Sequence, residues 1–174
     1  HFNSTLATQK TSGAFGWDDT PSVVPATSVK SYHGTSKYLL LCKYNNYAGA
    51  GGDGINKVAI LDPNAAATES VSGISAMKEI LTVAGATPDS DFVGSHPGAV
   101  REWCINTAAV DSNGHCAIVN NEDGKCYRWN FDTNKLSEVV TLTTGIGEAY
   151  TPTLIARDGE SLAINNATVY VIGH

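Results

Sequence analysis

The sequence predicts an all-β protein laid out as a meander of short antiparallel strands. First, its apolar runs are four to eight residues long, rich in β-branched and aromatic residues, and cut by Gly, Asn, Asp and Pro. Second, the breaks carry acidic–Gly and Asn turn chemistry: Asp111-Ser112-Asn113-Gly114, Asn121-Glu122-Asp123-Gly124, Asp132-Thr133-Asn134-Lys135 and Asp158-Gly159. Third, helical periodicity is nearly absent. Only Ser72 to Ala84 also reads as a short helix, and its Ile80-Leu81-Thr82-Val83 centre reads equally well as a strand.

In chain order, Ser22-Val23-Val24 opens the series, and the leucine run of Lys37 to Lys43 gives the second strand. Lys57 to Leu61 opens on a lysine and continues as an apolar strand between two long loops at 45–56 and 63–75. Ile105 to Val110, Cys116 to Val119, Cys126 to Phe131 and Leu136 to Leu142 follow, separated by the three tight turns named above. Thr153 to Ile155, Ser161 to Ile164 and the alternating Thr168 to Ile172 complete the set.

The 174 residues (18.3 kDa) are expected to form one domain, and 42% hydrophobic content is enough for a buried core. Eleven Lys+Arg against seventeen Asp+Glu give a net charge of −6, which excludes nucleic acid as a partner because no basic stripe exists to neutralise phosphates. No apolar run approaches the ~20 residues that span a bilayer, so membrane insertion is not expected. Few charges with abundant Asn, Thr and Ser suggest an exported protein, periplasmic, cell-surface or extracellular; Asn3-Ser4-Thr5 and Asn166-Ala167-Thr168 are glycosylation sequons if that export is eukaryotic. A start at His1 without Met or an apolar leader implies that an upstream segment was removed. Cys42, Cys104, Cys116 and Cys126 include no Cys-x-x-Cys and each lies in an apolar stretch, which favours buried small hydrophobes over a disulfide framework.

An internal repeat organises the chain. Gly16-Trp17-Asp18-Asp19-Thr20-Pro21-Ser22-Val23-Val24, Arg101-Glu102-Trp103-Cys104-Ile105-Asn106-Thr107-Ala108-Ala109 and Gly147-Glu148-Ala149-Tyr150-Thr151-Pro152-Thr153-Leu154-Ile155 share one form. Each runs from a polar loop with an aromatic, through a Thr- or Ser-containing strand start, to small apolar residues. Aligning Pro21, Asn106 and Pro152 gives separations of 85 and 46 residues, the second matching one four-stranded propeller blade of ~40–50 residues. The segment Asp123-Gly124-Lys125-Cys126-Tyr127-Arg128-Trp129-Asn130-Phe131-Asp132-Thr133-Asn134-Lys135-Leu136 resembles the outer-strand repeat of β-propellers, of the pyrroloquinoline-quinone type found in quinoprotein dehydrogenases and in non-catalytic surface propellers. It departs from that pattern in having Asn134 where Gly is common and in lacking the terminal Trp. The resemblance implies a β-propeller-like array of about three blades, at 20–100, 101–147 and 148–174 with a strand from 3–11. Three blades do not close a ring. Self-association of two copies into a six-bladed ring, or the remainder of a longer chain, is therefore expected to complete it.

In such an array the loop entering each innermost strand lies at one mouth of the channel. Glu102 and Glu148 align with Trp17, and Asp18, Asp19, Arg101, Trp103 and Tyr150 lie beside them. Together they predict an acidic, aromatic mouth suited to a cation, an amine or a carbohydrate, through stacking and carboxylate hydrogen bonds. The competing reading is that they cap strands and wedge blades apart. His96, in the loop Gly94-Ser95-His96-Pro97-Gly98, is the candidate general base, with Glu102 and Glu148 as candidate catalytic carboxylates. The sequence favours a non-catalytic scaffold binding a ligand or protein partner at this mouth. The alternative is an enzyme, of quinoprotein type or a lyase or hydrolase, using the same mouth in a complete ring. No cofactor is required by the scaffold reading. Calcium is a candidate ion, with Asp53 of the glycine-rich 49–54 loop as a candidate ligand. His1 is the other metal candidate, since an N-terminal His chelates copper with a second His such as His33, His96 or His115.

Overall fold

The computed structural model describes residues 5–6, 20–68, 73–104, 107–147, 149 and 152–173. Its strands form three antiparallel sheets, each a meander in chain order. The first sheet joins β1 (Ser22–Pro25), β2 (Tyr38–Tyr44), β3 (Lys57–Thr68) and β4 (Ser75–Ala84). The second joins β5 (Ala109–Asp111), β6 (Cys116–Asn121), β7 (Lys125–Asn130) and β8 (Lys135–Thr141). The third has three strands, β9 (Leu154–Ile155), β10 (Ser161–Asn165) and β11 (Thr168–Ile172), with β11 at the edge. The first strands of successive sheets are neighbours: β1 approaches β5, and β5 approaches β9. No helix among the described residues is long and apolar enough to cross a membrane.

The structure corrects three expectations. The helical reading of 72–84 fails: β4 pairs with β3 from Ser75↔Thr68 to Ala84↔Lys57, because β3 offers a long apolar partner. Of the 63–75 loop, the described part up to Thr68 is strand, since β3 continues past a break in register between Asp62 and Ala66, and 69–72 lie outside the described residues. The strand expected at Ile105 to Val110 is confined to Ala109–Asp111, with 105–106 outside the described residues. Of the strand placed at 3–11, only Thr5 and Leu6 are described, and they are not in a strand.

The bulge in β3 has an electrostatic cause. Pro63 cannot donate to a ladder, and Asp62 takes over the local bonding. Its carboxylate accepts hydrogen bonds from Ser36 Oγ at 2.6 Å, Tyr32 Oη at 2.6 Å and the Asn64 amide at 2.9 Å. Burial by itself would raise the Asp62 carboxyl, but bonds from Ser36, Tyr32 and the amides of Asn64 and Ala65 outweigh it and hold the group below its ordinary value. The unfolded chain therefore binds this proton first as pH falls. The stability Asp62 contributes is full above the ordinary carboxylate range and is lost as pH drops through the folded value. Urea midpoints compared at pH 6 and pH 3 are expected to fall less for Asp62→Asn than for the parent. An equal fall in both would remove Asp62 from the acid response.

The core lies between the first two sheets. Val24, Leu39, Leu41, Val58, Ile60 and Leu81 from one meet Trp103, Ala117, Val119, Tyr127, Trp129 and Phe131 from the other. Trp129 meets Phe131 edge-on at 5.5 Å, and Trp103 meets Tyr127 at 5.9 Å. All four cysteines are buried and none is disulfide-bonded. Burial pushes the Cys126 thiol up to about 12, so it stays protonated and packs as a small hydrophobe. Asn134, where the repeat usually has Gly, takes the left-handed conformation at φ 52° that the β7–β8 turn requires. Its side chain accepts from Trp129 Nε1 at 3.1 Å and donates to Thr82 O at 3.1 Å, which ties the turn to both sheets.

Candidate functional site: an acidic cleft beside the core

Residues 102–104 run antiparallel to the end of β6. Trp103 pairs with Asn121, Glu122 N donates to Glu102 O at 3.0 Å, and Cys104 N donates to Asn120 O at 3.3 Å. Side chains alternate across such a pair, so Trp103 points into the core while Glu102, Cys104 and Glu122 share the other face. One ligand atom from each of these three lies within 4.8 Å of the others. Asn45 fixes the segment from the far side: its Oδ1 accepts from Trp103 N and its Nδ2 donates to Trp103 O, both at 2.9 Å.

Like charges directly opposite each other destabilise a strand pair, and Glu102 faces Glu122 across this one. The pair lines a cleft of about 320 Å³ with Tyr47, Asn56, Asp89, Asp91, Phe92 and Arg101. Arg101 is the cation among these side chains. It reaches Asp89 Oδ1 at 3.2 Å, Asp91 Oδ2 at 3.1 Å, Glu122 Oε1 at 3.3 Å and Ser90 Oγ at 2.9 Å. Four carboxylates against one guanidinium leave the cleft strongly acidic. Burial and then the Glu102 charge push the Glu122 carboxyl up to about 7, against the opposing pull of the Glu102 amide and Arg101. Tyr47 is raised for the same reasons, by burial and then by its hydrogen bond to Glu102.

The wall opposite is the glycine-rich 49–54 loop. Asp53 Oδ1 accepts from Asn46 Nδ2 at 2.7 Å and from the Ile55 amide at 2.8 Å, so Asp53 closes the loop on itself. Gly54, at φ 75°, lets the loop press on the neighbouring segment: a Cβ there would stand 2.7 Å from Ala99 Cβ.

Among the residues expected at the mouth, the structure brings Arg101 and Glu102 together in the cleft and places Trp103 behind them. Trp103 has no exposed surface, and its Nε1 donates to Asn56 O at 3.3 Å, so it supports the site and has no face to offer a ligand. His96 lies on the turn beside Phe92, ring against ring at 6.3 Å, with Nδ1 2.9 Å from Ser95 Oγ. It is not among the lining residues of the cleft. His115 Nδ1 lies 3.2 Å from Asp132 Oδ1, far along the chain from both. His1, Trp17, Asp18, Asp19, Glu148 and Tyr150 lie outside the described residues.

Sequence reading missed Glu122, Asp89, Asp91, Tyr47 and Asn56. Glu122 belongs to a segment that reads as a solvated turn, yet Asn120, Asn121, Glu122 and Asp123 are all buried. Four consecutive polar residues directly after an apolar strand were the available signal. No protein-family model matches this chain, and no curated protein or solved structure matches it either. Fold and site together define an all-β protein with an acidic inter-sheet cleft.

Proposed function

We propose that this chain is a non-catalytic, propeller-type scaffold that binds a cation or a cation-bearing ligand at the cleft of Glu102 and Glu122. The carrying observation is the opposed carboxylate pair itself, a destabilising arrangement that a bound positive charge would relieve. Tyr47 and Phe92 supply aromatic surface at the same place. The propeller reading draws support from the sequence-ordered four-stranded meanders and from the adjacency of β1, β5 and β9. Among the described residues the third sheet has three strands, and Val169 and Val171 are exposed on its edge strand β11, a surface that further chain or a second copy would cover. Export follows from composition and is part of the same reading.

Titration with small alkylammonium and diamine probes, followed by calorimetry, is expected to show saturable binding. Glu102→Gln/Glu122→Gln should weaken it at least tenfold, as loss of charge-assisted hydrogen bonds of about 1.5–3 kcal/mol requires. Neutral sugars binding as tightly as the ammonium probes, or unchanged binding in the double variant, would overturn the reading.

The same carboxylate pair favours one second reading, a hydrolase in which one carboxyl donates a proton and the other assists attack. Turnover of chromogenic glycosides that disappears in Glu102→Gln would establish it.

A further inference from the structure

We propose that Glu102, Cys104 and Glu122 form the floor of a divalent metal site, selective for a borderline ion of the zinc class over calcium or magnesium. The proposal rests on the cleft being the functional site and names the cation it takes.

Three observations carry it. The first is the donor set. Two carboxylate oxygens and a thiol sulfur lie within 4.8 Å of one another, so a modest side-chain shift brings all three to bonds of about 2.0–2.3 Å on one ion. Sulfur as a ligand selects zinc-class ions, because hard calcium and magnesium take oxygen ligands. The second is independent of the acidic cluster. Asn56, 4% exposed and lining the same cleft, has an Oδ1 that accepts no hydrogen bond. A buried amide oxygen left without a partner costs free energy, and this one, in the wall of the cleft, marks a place built for a positive ligand. The third is charge. A thiolate and two carboxylates carry three negative charges, and the one nearby guanidinium, Arg101, is shared with Asp89 and Asp91, so a divalent ion is needed to offset most of that charge. The thiol proton leaves to solvent as the metal–sulfur bond forms.

The geometry also explains why Arg101 holds Glu122 by Oε1. A guanidinium that engages one oxygen orients the carboxylate and leaves the other to the ion, in the manner of an outer-shell partner. Three protein ligands leave a position open toward the cleft.

The test uses the full chain, stripped with chelator and loaded with cobalt(II). One equivalent is expected to bind and to give a thiolate-to-cobalt charge-transfer band, which zinc then displaces while calcium does not. Cys104→Ser, checked for folding by circular dichroism, should lose the band and at least tenfold in zinc affinity. Cys116→Ser, outside the cluster, should keep both. Absence of the band in the parent protein, or zinc affinity unchanged by Cys104→Ser, overturns the metal site. Ammonium probes that bind where cobalt does not would overturn the metal site alone. Failure of both ligands would remove the cleft reading with it.

Discussion

Trp129→Ala is expected to cost about 3–5 kcal/mol of folding free energy, the range for truncating a fully buried large aromatic. Trp129 has no exposed surface. It stands opposite Ala117 on β6 and Leu136 on β8, and its ring meets Phe131 at 5.5 Å. The small side chain of Ala117 makes room for the indole, so no neighbour is placed to refill the space and a cavity persists. Urea unfolding followed by far-UV circular dichroism measures the loss. Trp129→Phe separates two causes, because it keeps most of the volume and deletes the Nε1 bond to Asn134. It should cost about 1–2 kcal/mol, mostly from the smaller ring, because Asn134 is exposed and water replaces its lost donor. If both variants cost the same small amount, the inter-sheet core is not where the stability lies.

The same residues show how much of the fold was legible. Strand existence was, because alternating runs such as Thr168 to Ile172 and turns such as Asp111 to Gly114 act locally; Asp111 Oδ1 accepts from the amides of Asn113 and Gly114 within the turn itself. Asn134 was visible only as a departure from a repeat. Its left-handed φ and its bond to Trp129 show that Asn meets the same conformational demand as Gly while adding a tertiary contact. The length of β3 was not legible, since its continuation past Pro63 depends on Tyr32 and Ser36, about thirty residues away in sequence, reaching Asp62.

The site was half legible for a related reason. Arg101 and Glu102 stood out as charged residues beside a Trp in a repeated segment. Glu122, Asn56 and Tyr47 gained meaning only when the 102–104 segment paired with the end of β6 and the glycine-rich loop closed over Ala99. Aromatic type misled at Trp103: a tryptophan next to a glutamate reads as a stacking surface, but alternation along a strand sends neighbours to opposite faces. Glu102 faces the cleft, so Trp103 must face the core.

Arg101→Ala should be the most damaging change in the cleft, about 3 kcal/mol or more, because it strips the cation from carboxylates that are already mostly buried. The Arg101, Asp89 and Glu122 side chains are each 11% exposed, whereas Asp91 is 62% exposed and can turn to water. The loss should therefore trace to Asp89 and Glu122, not to Asp91. A double-mutant cycle makes this quantitative. Arg101→Ala/Glu122→Gln is expected to recover part of the stability lost in Arg101→Ala, since the variant no longer buries an opposed Glu102–Glu122 charge pair without its guanidinium. Arg101→Ala/Asp91→Asn should recover almost nothing. Equal recovery in both, read from urea midpoints, would mean that Arg101 acts through general surface charge and that the cleft is not an organised electrostatic site. Recovery with Glu122→Gln and not with Asp91→Asn would show that the protein spends stability to hold carboxylates together in one place, which is the physical mark of a site that awaits a cation.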